Sequence, residues 1–369
     1  MGLNTNQESF FAMVRAGLWE SEVRLSQYKE IDFNEIYRLA QEQSVIGLVT
    51  AGMEHVVDFK VPQEVLLQFI GSSLQTEQQN RAMNEFIERL IEKLRKEDIY
   101  ALLVKGQGIA QCYSRPLWRI SGDIDLLLNY ESYRKAISFL SLIASNEEKE
   151  HFDILHKALT IDRWEVELHG TLRSKLGRKI DKGIDEVQKA VFYGGAVRSW
   201  MNGRTQVFIP RSDEDVVFVF THILQHFFNG GIGLRQICDW SRLLWVYKDS
   251  IDRILLEKRI RSMGLMTEWK AFAALAVQTL GVKEDAMPFY TESSRWTRKA
   301  EKILSIVMAS GNMGHSRDWS YRQNYSTFAR KLFTLSRLTG DAMRQFSIFP
   351  KDSLRAWWLI VSKGICEAV

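Results

Sequence analysis

"VKGQGIAQCYSRPLWRISGDIDLLLNY", residues 104–130, decides how this chain is read. One short apolar run stops at Gly106, and a second opens with two aspartates one residue apart, Asp123 and Asp125. Alternate side chains of a strand share a face, so the two carboxylates project together while Ile124 projects the other way. Like charges at the mouth of an apolar strand repel and lose hydration, and a dication held between them offsets both costs. A hard cation such as Mg2+ or Mn2+ prefers oxygen ligands and keeps positions for phosphate oxygens and water. An isolated D-x-D is equally compatible with two solvated aspartates at the start of a strand.

The flanking sequence narrows that choice. "VKG" predicts a strand–glycine–helix turn, in which backbone N–H groups at Gly106 and Gln107 approach a phosphate. Lys105 and Arg119 lie near this turn, as partners for phosphate oxygens or as ordinary surface charges. Downstream, "RWEVELHG" alternates: Glu165, Glu167 and His169 share one face, and Trp164, Val166 and Leu168 the other. Alone, the polar face reads as a wet sheet surface. Placed beside the aspartate strand, Glu167 completes a carboxylate trio suited to one or two metals and in-line displacement at phosphorus. Glu165 and His169 then line the same cleft.

Working outward, 369 residues exceed one comfortable core and predict more than one packed unit. With 46% hydrophobic and 25% charged residues and only 5 prolines, the chain is a folded, helix-rich protein. Residues 1–95 read as an N-terminal helical region, with Ile36, Leu39, Ala40, Val45 and Leu48 at helical spacing and Pro62 opening a long amphipathic segment. Residues 96–210 read as a small mixed-sheet core. Its strands are "YALLVKG", "DIDLLLNY" and two in "FDILHKALTIDRWEVELHG" joined by a tight turn near Asp162–Arg163, with "ESYRKAISFLSLIAS" as a helix. Residues 211–369 return to helix, Ser212 being a cap candidate followed by acids. The expected class is α+β, a small sheet flanked by helical regions.

Other features carry less. Cys112, Cys238 and Cys366 are odd in number and far apart, which fits neither a disulfide framework nor a zinc cluster and points to a reducing, cytoplasmic setting. No signal peptide is expected, position 6 is Asn where a myristoylation pattern needs Ser or Thr, and no apolar run is long enough to span a bilayer. Net charge is +4, yet from Thr291 onward there are 13 Lys/Arg against 6 Asp/Glu. That basic stretch interleaves aromatics ("WTRKAEK", "HSRDWSYRQNY", "FARKLFTLSRL"), as a polyanion-binding surface or as a solvated helical face. No DNA-binding motif occurs. His222 and His226 share a helix face, but Ile223 stands where a zinc protease needs Glu. They read as a stacked structural pair, or as a helix lining the cleft with His226 or Arg235 touching nucleotide or acceptor. Asp239 reads as the helical partner of Arg235. His151 and His156 read as structural.

The glycine turn, "GDIDLLL" and the later "VELH" together resemble the polymerase β-type nucleotidyltransferase fold. More narrowly, "LVKGQGIAQCY", "SGDIDLLL", "WEVELHG" and "THILQHFFNGGIGLRQICDW" resemble the bacterial family of uncharacterised nucleotidyltransferases, over roughly residues 30–250. Gln107 stands where the wider fold carries a serine, which removes a hydroxyl contact to phosphate. The gap from Gly106 to Asp123 is also longer than the usual one. The resemblance implies that Asp123 and Asp125 hold the metal of an NTP, here Mg2+ or Mn2+. Glu167 holds a second metal or activates the acceptor hydroxyl, and Gly106 with the following amides cradles the terminal phosphates. The implied reaction moves a nucleoside monophosphate from an NTP to a small molecule, a protein side chain or an RNA end. Two alternatives remain: a sugar transferase using a nucleotide-sugar, and a non-catalytic module binding nucleotide or a partner.

Overall fold

The computed structural model describes residues 3–229, 231–312, 336 and 339–366. Of the basic aromatic stretch, "WTRKAEK" falls in a helix, whereas 315–325 and all but one residue of 328–338 lie outside the described residues. Four helices come first: α1 Thr5–Trp19, α2 Phe33–Glu42, α3 Ile46–Met53 and α4 Gln63–Lys96. Asn4 caps α1 in a reciprocal capping box with Gln7, and Asp32 caps α2 by accepting from the amides of Asn34 and Glu35. Pro62 immediately precedes α4, as its fixed φ favours.

The sheet follows. Strand β1 Leu102–Val104 leads into the short helix α5 Gly106–Ala110, then β2 Ile124–Leu127 and α6 Tyr130–Leu140. Next come β3 Asn146–Glu147, β4 His156–Ile161, β5 Trp164–His169, α7 Arg178–Tyr193, β6 Val197–Asn202 and β7 Thr205–Pro210. The seven strands are ordered β3-β4-β5-β2-β1-β7-β6. β2 and β5 run parallel with Asp125 opposite Glu167, β4 and β5 are antiparallel, and β1 pairs antiparallel with β2 and parallel with β7. The chain closes with α8 Ser212–Asn229, α9 Leu234–Val246, α10 Arg253–Met263, α11 Met266–Leu280, α12 Ser294–Ser310 and a last helix, Pro350–Cys366. The α+β class expected from the sequence is the one observed. Among the described residues no helix is long and apolar enough to cross a membrane.

Strand alternation splits the core. Ile124, Leu126, Leu128, Val166, Leu168, Val207 and Ile209 face one apolar cluster, covered by Met83, Phe86, Ile87, Leu90, Ile91 and Leu94 of α4 and by Tyr133, Ala136 and Leu140 of α6. The α4 residues recur at three- and four-residue spacing, so they form one stripe. Leu102, Val104 and Leu127 face a larger cluster shared by α1–α3, α8, α9 and α11, with Trp240, Trp269 and Phe220 at its centre. The helices that precede and follow the sheet in sequence therefore pack on each other. Trp19 Nε1 donates to Leu280 O at 2.6 Å, and the Arg15 guanidinium donates to Thr279 O at 3.1 Å. Helices α1 and α3 cross backbone to backbone. A Cβ on Gly17 would sit 2.0 Å from Leu48 O, and one on Gly52 would sit 2.0 Å from Met13 O.

Candidate active site

The odd-numbered residues of β2 point away from the α4 cluster, which puts Asp125 on the sheet face opposite Ile124 and Leu126. Parallel register sets Glu167 beside Asp125, and Asp123 lies two residues earlier on the same side. Oxygens of Asp123, Asp125 and Glu167 all lie within 4.8 Å of one another. Oxygen ligands of a hard cation bound at 2.0–2.6 Å are at most about 4–5 Å apart, so the trio fits such an ion without rearrangement of the strands.

Asp125 is 2% exposed, and the chain itself supplies part of its compensation. Lys105 Nζ lies 2.7 Å and His169 Nε2 2.8 Å from Asp125 Oδ1. Burial opposes the charge of Lys105, but Asp125, Asp123 and Glu167 outweigh it and raise its pKa. The same contest raises His169, where burial is overcome by hydrogen bonds to Asp125 and Glu167. Asp123 is pushed up, first by the neighbouring Asp125 charge and then by burial. Glu167 goes the other way: burial would raise it, yet hydrogen bonds from His156 and His169 hold it well below the ordinary carboxylate range.

The turn after β1 is held in an unusual conformation. Lys105 has φ 59° and ψ −147° and Gly106 has φ 41°. For a residue with a Cβ this region is costly, and the strained lysine is the one that reaches Asp125. Gly106 borders a cleft of about 390 Å3 that is also lined by Lys105, Asp123, Asp125, Glu167, His169 and residues of α8 and α9.

The remaining residues singled out from the sequence divide. Arg119 is engaged inside the protein: its Nε and Nη2 donate to Asp239 at 2.8 and 2.6 Å, its Nη1 donates to Ser121 Oγ at 2.7 Å, and Tyr113 donates to the same aspartate at 2.7 Å. Asp239 is thus the partner of Arg119 and not of Arg235, because the loop from Ser114 to Gly122 folds under α9. Arg235 borders the cleft, donates to Ile120 O at 2.8 Å, keeps a buried Nε without a partner, and forms no ion pair among the described residues. Burial, then the nearby Arg119 charge, lowers its pKa. The Gln107 side chain turns from the cleft to Asn80, donating to Oδ1 at 2.7 Å; Asn80 in turn donates to Leu117 O and Arg119 O at 2.8 Å each. That amide is buried and, through Asn80, ties to the loop that carries Leu117 and Arg119. Glu165 shares the face of Glu167 but is exposed and does not border the cleft.

His222 and His226 pack edge to face, with ring centroids 4.3 Å apart and planes at 73°, and both line the cleft. Burial and the Lys105 charge keep both neutral, lowering His226 to about 4. His156 is not a bystander. Its Nε2 lies 3.2 Å from Glu167 Oε2. A two-residue turn at Asp162–Arg163 fixes the register, and counting outward from it puts His156 opposite His169; that signal was present in the sequence.

A family model described as an uncharacterised nucleotidyltransferase matches residues 29–281. No curated protein and no solved structure gives a match.

Proposed function

The chain belongs to this family of uncharacterised nucleotidyltransferases, and from that premise we propose that it transfers a nucleoside monophosphate from an NTP to an acceptor hydroxyl, releasing pyrophosphate, with Mg2+ or Mn2+ held by Asp123, Asp125 and Glu167. The observation that carries this reading is the parallel register that sets Glu167 beside Asp125 with Asp123 on the same face. When bound, the cation supplies charge neutralisation at the phosphates.

The side chains around the trio have distinct tasks in this scheme. Lys105 exchanges part of its contact with Asp125 for phosphate oxygens, its elevated pKa keeping it cationic. Arg235, which borders the cleft and forms no ion pair among the described residues, fits a second anionic group of the donor. Arg119, fixed by Asp239, adds positive field without leaving its partner. His226, neutral at pH 7, offers a ring nitrogen to the acceptor hydroxyl. Glu167 is a poor proton acceptor because its two histidine neighbours favour its ionised form, so its part is to hold charge.

The test is incubation of the protein with α-labelled NTP, Mg2+ or Mn2+, and a cell extract, with labelled nucleotide-sugar in parallel. Label from NTP should pass to a small molecule, protein or RNA fraction, which also reads the acceptor class. Asp123→Asn and Asp125→Asn should each lower transfer by about 10²–10³ or more, the scale for removing one preorganised electrostatic group. Full transfer by both variants, or transfer from the nucleotide-sugar alone, sinks the proposal.

A further inference from the structure

We propose that His156, Glu167 and His169 form a second cation site, selective for a borderline dication of the Zn2+ class, next to the all-oxygen trio and sharing Glu167 with it. The three residues come from the β4–β5 hairpin. His156 and His169 are direct cross-strand partners, and Glu167 is two residues before His169 on the same face. Their ligand atoms lie within 4.8 Å of one another, and all three residues border the cleft.

The hydrogen bonds to Glu167 are long, and their spacing is also that of ligands on one ion. The Nε2 atoms of His156 and His169 converge on one atom, Glu167 Oε2, at 3.2 and 3.3 Å. A charge-assisted N–H to carboxylate bond is shorter, about 2.7–2.9 Å, and His169 makes one of that length to Asp125 at 2.8 Å. Two donors on a tetrahedral ion at 2.0–2.2 Å are separated by about 3.3–3.5 Å, the spacing seen here to Glu167. Two imidazoles and one carboxylate are the donor set that Zn2+, Co2+ and Mn2+ accept and Mg2+ does not. Three protein ligands leave a fourth position for water or a substrate oxygen from the cleft. The charges also favour occupancy: Asp123, Asp125 and Glu167 are three acids faced by one lysine, and a dication at the Nε2 atoms takes the place of the proton that His169 otherwise shares with Asp125 and Glu167. Lys105 contacts Asp125 rather than either histidine.

This site does not require that the reaction be nucleotide transfer, and its test is kept apart from it. Full-length protein stripped of metal is titrated with Co2+ alone and with Zn2+ alone, and the Co2+ visible spectrum is recorded. The wild type should give the intense bands of a tetrahedral nitrogen-containing site. Asp123→Asn, which disables the trio but none of these three ligands, should keep those bands. His156→Gln should lose them and bind Zn2+ more weakly by at least about 10–100-fold, the cost of losing even an outer partner of a ligand. In 15N-histidine-labelled wild-type protein two Nε2 resonances should take the large shift of direct metal coordination on Zn2+ addition, which Mg2+, reaching only the neighbouring carboxylates, should not reproduce, a readout that needs no variant to fold. Weak octahedral bands only, unmoved resonances, or unchanged Zn2+ affinity in a folded His156→Gln protein would each overturn the assignment.

Discussion

Lys105 carries a strained backbone and the closest cation to Asp125, so its removal should be felt in two ways. Lys105→Met leaves His169 as the remaining cationic partner of a buried carboxylate, and unfolding free energy should fall by about 1–3 kcal/mol without added metal. Mg2+ should restore more of that loss than it adds to the wild type; a variant whose urea midpoint does not respond to Mg2+ would contradict the trio as a cation site. Histidine titration gives the second residue-scale expectation. His226 has a folded pKa of about 4 and His222 is likewise depressed. Between pH 4 and 6.5 each of these two rings therefore binds more protons in the unfolded chain, and contributes a rise of stability with pH of at most about 1.4 kcal/mol per unit. His169, raised, acts only above 6.5 and in the opposite sense. Asp123, also raised, opposes the trend from its ordinary value of 3.8 upward. His226→Gln should make the pH slope of the urea midpoint less positive across that window, and an unchanged slope would refute the burial of a neutral ring. At this scale the convergence of Asp123, Asp125 and Glu167 was legible, because a two-residue period needs only strand identity and one pairing. The hold of Asp239 on Arg119 was not, since it joins residues 120 apart through a loop without a period.

Elements are positioned by close contacts as much as by apolar stripes. Gly52→Ala forces a Cβ to within 2.0 Å of Met13 O, so α1 and α3 must separate. Overpacking of this kind costs about 1–3 kcal/mol and should appear as a lowered melting temperature with helical content retained. Leu168→Ala empties the side of β5 that faces α4 and should cost about 2–5 kcal/mol; an effect below 1 kcal/mol would mean that β5 does not face that cluster. The long helix behind Pro62 and the hairpin around Asp162–Arg163 were readable because each has both a period and a stop signal. Strands β6 and β7 were not recognised in advance. Their alternation is blurred by Arg198, Trp200 and Gln206, although Gly203, at φ 59°, marks the tight turn between them. Helix α7 was missed as well, its amphipathic pattern lacking a side-chain cap at Gly177.

At the scale of the whole molecule, one buried ion pair ties the loop before β2 to α9. Asp239→Asn strands the Arg119 charge in the interior and should cost about 3–5 kcal/mol, whereas Tyr113→Phe, which leaves the pair intact, should cost about 1 kcal/mol. Limited proteolysis should cut the Asp239→Asn protein between Ser114 and Gly122 first; equal resistance of the two variants would show that the pair does not anchor the loop. The shared cluster of leading and trailing helices was illegible because it is set by which faces meet, and no local pattern encodes that. The parallel neighbours Asp125 and Glu167 have a final consequence, for biosynthesis. Such strands cannot be joined by a hairpin, so the segment between them must cross over before their side chains meet. Arg119 then waits for a residue more than a hundred positions later. The loop before β2 consequently stays without its anchor until α9 has left the ribosome.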